Sequence, residues 1–236
     1  MIYFYSGTPG SGKSLSAAYK LIDTLNRKKN VIANFPINLS YFKKRKIGDF
    51  LYLDNQQLTP AALRSYAIQH HRAHREGQTL IIIDECAIMF NSRQWDRADR
   101  AQWILFFQEH RKLGFDILLI AQQDRMIDRQ IRGFVESEYK HRAIKNYKNF
   151  GFILSWLTGG LFCRIEYWYG TSLKCGSEFF FINRKKAAIY DTYKFFGEDP
   201  SADKKNSCQK IDGNSDLPRV AGAAHFCAGA LPPSED

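Results

Sequence analysis

Ile2-Tyr3-Phe4-Tyr5-Ser6-Gly7-Thr8-Pro9-Gly10-Ser11-Gly12-Lys13-Ser14-Leu15 stands at the start of the chain, and from Gly7 to Ser14 its order is G-x-x-x-x-G-K-S. An apolar segment, Ile2 to Tyr5, precedes the motif and reads as a short buried strand. Apolar residues at Leu15, Ala18, Leu21, Ile22 and Leu25 follow at helical spacing, so Lys13 to Leu25 reads as a helix. Strand, glycine-rich loop and helix in that order form an anion cradle. Glycine lets the backbone take dihedrals that other residues avoid, and the loop N–H groups and the helix N-terminus then face a phosphate. Gly7, Thr8, Pro9, Gly10, Ser11, Gly12, Lys13, Ser14 and Leu15 are the candidate contacts to a nucleoside triphosphate. Lys13 would reach the β- and γ-phosphates, and the Ser14 hydroxyl would take Mg²⁺.

Such a loop needs an acidic partner at the end of another buried strand. Leu80-Ile81-Ile82-Ile83-Asp84-Glu85 supplies it. The continuous apolar run is typical of a strand covered on both faces. Asp84 is the candidate metal ligand, directly or through water, and Glu85 the candidate general base for an attacking water. Ile117 to Ala121 is a further apolar strand, followed by Gln122 and Gln123. A polar residue there can sense a γ-phosphate; Gln122 is our choice and Gln123 the alternative. Hydrolysis also needs positive charge against the transition state. The candidates are Arg93, Arg97, Arg100 and Arg111, of which we select Arg111.

The first half alternates strand and helix signals throughout. Val31 to Phe35 reads as a strand ended by Pro36, and Lys43 to Lys46 as a charged loop or strand edge. Thr59 to His74 reads as a helix, with Thr59 as N-cap and Pro60 at its first position. Arg100 to Lys112 reads as a helix ended near Gly114. The pattern predicts an α/β fold with a mostly parallel sheet flanked by helices. The second half is aromatic and charged. Val135 to Ile144, Phe150 to Tyr169 and Ser177 to Ile182 read as strands and β-hairpins appended to that core, and Asn183 to Phe196 as a closing helix. From Gly197 the composition turns to Ser, Asp, Lys, Pro, Gly and Ala, so a disordered tail is expected over 197–236.

The 236-residue chain has a formal charge of +10 and a pI near 9.4. That balance fits contact with nucleic acid, anionic lipid or acidic proteins without choosing among them. The five cysteines are odd in number and show no C-x-x-C spacing, which argues against a disulfide framework or zinc site and for a reducing cytoplasm. Pairing of Cys163 with Cys175 across a hairpin is a minor alternative. No signal peptide precedes Ile2, and the apolar run near Phe152 to Cys163 is shorter than the about 20 residues a spanning helix needs. A cytoplasmic protein, soluble or peripheral at a membrane, is expected. His70 and His74 are one helical turn apart but lack an accompanying carboxylate motif, so they read as an exposed face rather than a metal site. The aromatic and basic mixture from Tyr139 to Phe150 reads as packing before it reads as a platform for single-stranded DNA.

With these residues in hand, the chain resembles the cytoplasmic ATPase domain of the zonular occludens toxin (Zot) family, which includes the gene I assembly and export protein of filamentous phages. Beyond Gly7–Ser14, the resemblance is carried by Ile83, Asp84, Glu85 and Cys86 leading into Phe90, Asn91, Ser92, Arg93, Gln94 and Trp95. It continues through His110-Arg111-Lys112-Leu113-Gly114-Phe115-Asp116-Ile117, Gln122, and Met126 to Arg132. It covers roughly residues 1–195, which sets the domain at 1–196. The resemblance implies a RecA-like P-loop core with an extra strand between the two strands of the phosphate site. It implies ATP and Mg²⁺ as cofactors, and a ring of identical subunits. It further implies extrusion of single-stranded phage DNA through the host inner membrane as coat protein assembles, with an outer-membrane channel as a further partner. Family members usually continue into a transmembrane helix and a periplasmic part; neither is found in this sequence, so the expectation is either a piece of a longer chain or a member without its own anchor, with Phe150 to Tyr169 as a candidate for peripheral contact with the inner membrane. Two other readings are a nucleotide-gated binding or toxin-like protein without turnover, and a small nucleotide kinase.

Overall fold

The computed structural model describes residues 1–43, 45–93, 96–144 and 160–190. The tail expected over 197–236, the later part of the expected closing helix, the aromatic residues 150–159, and Gln94 and Trp95 lie outside the described residues.

Along the chain the elements are β1 (Ile2–Ser6), α1 (Lys13–Asn26), β2 (Asn30–Ala33), β3 (Phe50–Tyr52), α2 (Pro60–His70) and β4 (Thr79–Ile83). There follow α3 (Arg100–Glu109), β5 (Phe115–Ile120), the single turn α4 (Arg129–Arg132), β6 (Ser137–Ala143), β7 (Leu161–Trp168), β8 (Leu173–Phe181) and the turn α5 (Arg184–Ala187). Among the described residues the strands form one eight-stranded sheet in the order β3-β2-β4-β5-β1-β6-β7-β8. From β3 to β6 every pairing is parallel, and β6–β7 and β7–β8 are antiparallel. The expected α/β core with appended hairpin strands is therefore present, and β5 lies between β1 and β4.

Side-chain alternation divides the core between the two faces. On one face Ile2, Phe4, Ile81, Ile83, Ile117 and Leu119 pack with Leu63 of α2 and Trp103, Phe106 and Phe107 of α3. On the other, Tyr5, Val31, Ala33, Leu80, Ile82, Leu118 and Ile120 pack with Ala17, Ala18, Leu21, Ile22 and Leu25 of α1. All five residues of β4 are buried, as a strand sandwiched between helix layers requires.

The boundaries sharpen several expectations. Thr59 caps α2 by accepting from the Ala62 N–H at 3.2 Å, with Pro60 in the first turn. The helix ends at His70, short of His74. The next imidazole, His71, is held by the Leu113 carbonyl and the Thr79 hydroxyl, each at 2.6 Å, which turns the chain out of helical geometry. Gly114, at φ +82°, follows the last turn after α3. β3 has no counterpart among the strands expected from sequence. The closing helix is described only as the turn α5, capped by the Asn183 side chain accepting from Lys185 N–H at 3.1 Å and Lys186 N–H at 3.2 Å. Cys163 and Cys175 are free thiols. Among the described residues no helix is long and apolar enough to cross a membrane.

Candidate functional site

The loop between β1 and α1 adopts its shape because three of its residues are glycines. Gly7, Gly10 and Gly12 have φ of +142°, +71° and +92°, a range that strains any residue with a Cβ. Two of them are also confined. A Cβ on Gly7 would stand 2.4 Å from the His141 carbonyl oxygen, and one on Gly12 would stand 2.8 Å from the Phe162 ring. The back of the loop is thus moulded against β6 and β7. The Gly7 N–H donates to the Gln122 carbonyl at 3.1 Å, and the Ser16 N–H donates to the Gly12 carbonyl at 2.9 Å, which starts α1. Lys13 Nζ folds over the loop and donates to the carbonyls of Gly7 at 2.8 Å and Thr8 at 3.1 Å. Partial burial lowers the Lys13 pKa, opposed by the charges of Asp84 and Glu85. Ser11 Oγ is buried without a protein partner, a polar atom available to a bound group.

The acidic pair stands at the end of β4. The Asp84 backbone is clamped by one side chain: its N–H donates to Asn34 Oδ1 at 2.8 Å, and its carbonyl accepts from Asn34 Nδ2 at 2.9 Å. Asp84 Oδ1 accepts from the Glu85 N–H at 2.8 Å, and Asp84 Oδ2 accepts a short hydrogen bond from the Tyr190 hydroxyl. Burial and the charge of Asp84 push the Tyr190 phenol far above its ordinary range, so it keeps its proton and acts as donor. Glu85 is exposed, and at φ +46° it occupies the left-handed region, which turns the chain sharply after the strand. The Cys86 N–H returns to the Ile120 carbonyl at 2.9 Å, tying the turn to β5; burial drives the Cys86 thiol far up, so it is an inert core group.

The residue set expected from sequence therefore converges at one end of the sheet: the loop after β1, Asp84 and Glu85 after β4, and Gln122 after β5 between them. Sequence reasoning missed Asn34, His141, Phe162 and Tyr190.

A family model described as Zonular occludens toxin (Zot) matches residues 1–149, a span that contains all of Gly7–Ser14, Asp84, Glu85 and Gln122. The chain belongs to the Zot family. A Gene 1 protein of Enterobacteria phage I2-2 is 27% identical over 84% of this chain and 58% of its own length. A Gene 1 protein of Escherichia phage If1 is 29% identical over 56% of the chain and 38% of its own length. The chain thus spans between about two fifths and three fifths of these relatives. Two solved structures share the fold. The N-terminal domain of zonular occludens toxin from Neisseria meningitidis aligns with a TM-score of 0.50 at 17% identity, covering 80% of this chain and 98% of that one. A second solved structure, an ATPase domain, aligns with a TM-score of 0.53 at 8% identity, covering 80% of this chain and 84% of that one. The chain has a P-loop NTPase fold with β5 inserted between β1 and β4.

Within one chain three of the expected arginines are paired with carboxylates other than Asp84 and Glu85. Arg111 lies at the opposite end of the sheet, next to the starts of β4 and β5, where it pairs with Glu76 at 3.2 Å. Arg97 pairs with Asp99, and Arg100 with Asp128 at 2.8 Å. Any contact of Arg111 with a phosphate would have to come from a different subunit.

Proposed function

We propose that this Zot-family chain is the ATP-hydrolysing motor of filamentous phage assembly, coupling turnover to export of single-stranded DNA as coat protein is added. The observation that carries the reading is the convergence of Gly7–Ser14, Asp84–Glu85 and Gln122 at the same end of the parallel sheet. The similarity to Gene 1 proteins of phages supports the biological setting. Hydrolysis rather than phosphoryl transfer to a second nucleotide is favoured by the exposed Glu85 beside Asp84.

In this reading the loop N–H groups of Gly7–Ser14 cradle the phosphates, and Lys13 exchanges its loop carbonyls for phosphate oxygens. The Ser14 hydroxyl and the Asp84 carboxylate, both hard oxygen donors, suit Mg²⁺ and would hold it. When bound, the ion neutralises charge on the phosphate oxygens. Glu85 accepts a proton from the attacking water, and Gln122 orients the terminal phosphate. The positive charge still required comes from an arginine of a neighbouring subunit in a homo-oligomeric ring, and Arg111 is the candidate. The partners are coat protein, single-stranded phage DNA and an outer-membrane channel, and the site of action is the cytoplasmic side of the host inner membrane. The motor domain comprises 1–196 and the tail 197–236. The net charge of +10 suits a polyanionic cargo.

Steady-state phosphate release, with and without single-stranded DNA, tests the proposal. Wild type is expected to release phosphate, and Lys13→Ala to release none. Equal turnover in both proteins would overturn the mechanism. Nucleotide binding without release under any condition would make the chain a nucleotide-gated binding protein instead.

A further inference from the structure

The segment after β8 returns across α1 to the phosphate site, and each of its contacts is specific. Tyr19 of α1 donates its hydroxyl proton to the Phe181 carbonyl at 2.7 Å and accepts from the Asn183 N–H at 2.9 Å. The Lys186 ammonium lies 5.1 Å from the centre of the Tyr19 ring. Ile189 is fully buried in the α1-side core, and its carbonyl accepts from the Asn38 N–H at 3.1 Å. Tyr190 then packs edge-on against Phe35, with ring centroids 4.5 Å apart, and its hydroxyl ends on Asp84 Oδ2. The segment is a strap from the phosphate-loop helix to the Phe35–Asn38 stretch, and its end is the phenol.

That hydroxyl stands on Oδ2 of Asp84, one of the two residues assigned to the metal. Mg²⁺ holds oxygens at about 2.0–2.1 Å in a near-ideal octahedron and keeps several waters. A phenol donating to Asp84 Oδ2 takes a lone pair of that oxygen and fills the space its water shell requires. The phenol and the hydrated ion therefore compete for the same carboxylate oxygen. The geometry points to Tyr190 as an internal competitor for the Mg²⁺ position, so that the 183–190 strap must withdraw its hydroxyl before the Ser14–Asp84 pair can close on a metal–nucleotide complex. This rests on the nucleotide reading of the site above.

The test is a titration of a non-hydrolysable ATP analogue against increasing Mg²⁺, read by calorimetry on wild type, Tyr190→Phe and Tyr190→Ala. Tyr190→Phe keeps the ring on Phe35 and deletes only the competing hydroxyl. It is expected to lower the Mg²⁺ concentration at half-effect by roughly ten- to a hundredfold, the range for loss of one hydrogen bond to a charged acceptor, with affinity in EDTA unchanged. Hydrogen exchange on wild type supplies a readout that needs no variant: the Ile189 and Tyr190 amides are expected to exchange faster with Mg²⁺ and analogue than with analogue in EDTA. Equal Mg²⁺ midpoints in wild type and Tyr190→Phe, or a higher midpoint in the variant, would overturn the competition while leaving the nucleotide site intact. No analogue binding by wild type with or without Mg²⁺ would remove the site reading and this inference together.

Discussion

Phe162 of β7 packs its ring directly behind Gly12, so that a Cβ at Gly12 would stand 2.8 Å from the ring. An aromatic residue from the antiparallel half thus shapes the loop of the parallel half. Gly12→Ala combines a left-handed φ with this collision and is expected to destabilise the fold by roughly 1–3 kcal/mol. It should also abolish nucleotide binding. Phe162→Ala relieves the collision but removes the support. Because Phe162 is only half-buried, its cost should be about 1–3 kcal/mol, below the about 3–5 of a fully buried phenylalanine. Urea unfolding and nucleotide titration of both single variants and the double variant check this. If the contact governs the loop, Phe162→Ala should recover part of the stability lost in Gly12→Ala.

Asn34→Ala removes both hydrogen bonds that clamp the Asp84 backbone. Two partly buried backbone groups lose their partners, at about 1–3 kcal/mol in all. The expected signature beyond stability is a higher Mg²⁺ requirement, because the carboxylate is no longer held toward Ser14. Unchanged Mg²⁺ dependence in a folded Asn34→Ala protein would confine Asn34 to a structural role.

Glu85→Gln keeps the shape and removes the base. Turnover is expected to fall on the order of 10²–10⁴-fold, with nucleotide affinity retained. Rapid-quench phosphate release alongside equilibrium binding separates the two effects. A parallel loss of binding would place Glu85 in the phosphate cradle instead.

The His141 side chain is 1% exposed, and burial pushes its pKa down to about 4. Its Nδ1 lies 2.9 Å from the Tyr139 carbonyl, and Arg164 and Lys13 add repulsion to a protonated ring. In the unfolded chain the same imidazole takes a proton near pH 6.5. Between these values the unfolded state binds the extra proton, so stability is complete above about pH 6.5 and is lost as pH falls toward 4. The loss at pH 5 should be about 2 kcal/mol from this group. His110 and His71 are lowered by burial too and act in the same direction. Urea midpoints from pH 7 to pH 5 should fall in wild type and fall less in His141→Gln; equal slopes would exclude His141 as the source.

Much of the fold can be read locally. Leu80–Ile83 and Ile117–Ile120 are continuous apolar runs, and such runs announce strands covered on both faces. Gly7–Ser14 announces its geometry because backbone conformation alone already requires glycine at Gly7, Gly10 and Gly12, before His141 and Phe162 close in behind Gly7 and Gly12. β3 is invisible in the sequence because Phe50-Leu51-Tyr52 has no pattern of its own. It is a strand only because β2 offers it an edge, with Ile32 opposite Leu51. His71 ends α2 early through partners at Thr79 and Leu113, which lie beyond the helix itself. The same applies at the site. Asn34 is an ordinary polar residue until β2 pairs beside β4, and Tyr190 is one of 12 tyrosines whose place depends on where β8 sends the chain. Local chemistry marks the groups that touch a ligand, while the groups that hold them are set by topology.

The insertion of β5 between β1 and β4 has a metrical consequence. Ile2 lies opposite Ile117, and Ile117 opposite Ile81, so the strands ending at Gly7 and Asp84 are two sheet spacings apart. At about 4.8 Å per spacing that is roughly 9–10 Å between the two strand backbones. With β5 as a shim, the loop that carries Lys13 and the strand end that carries Asp84 stand one strand apart across the end of the sheet. The sheet itself is the gauge that sizes what can enter.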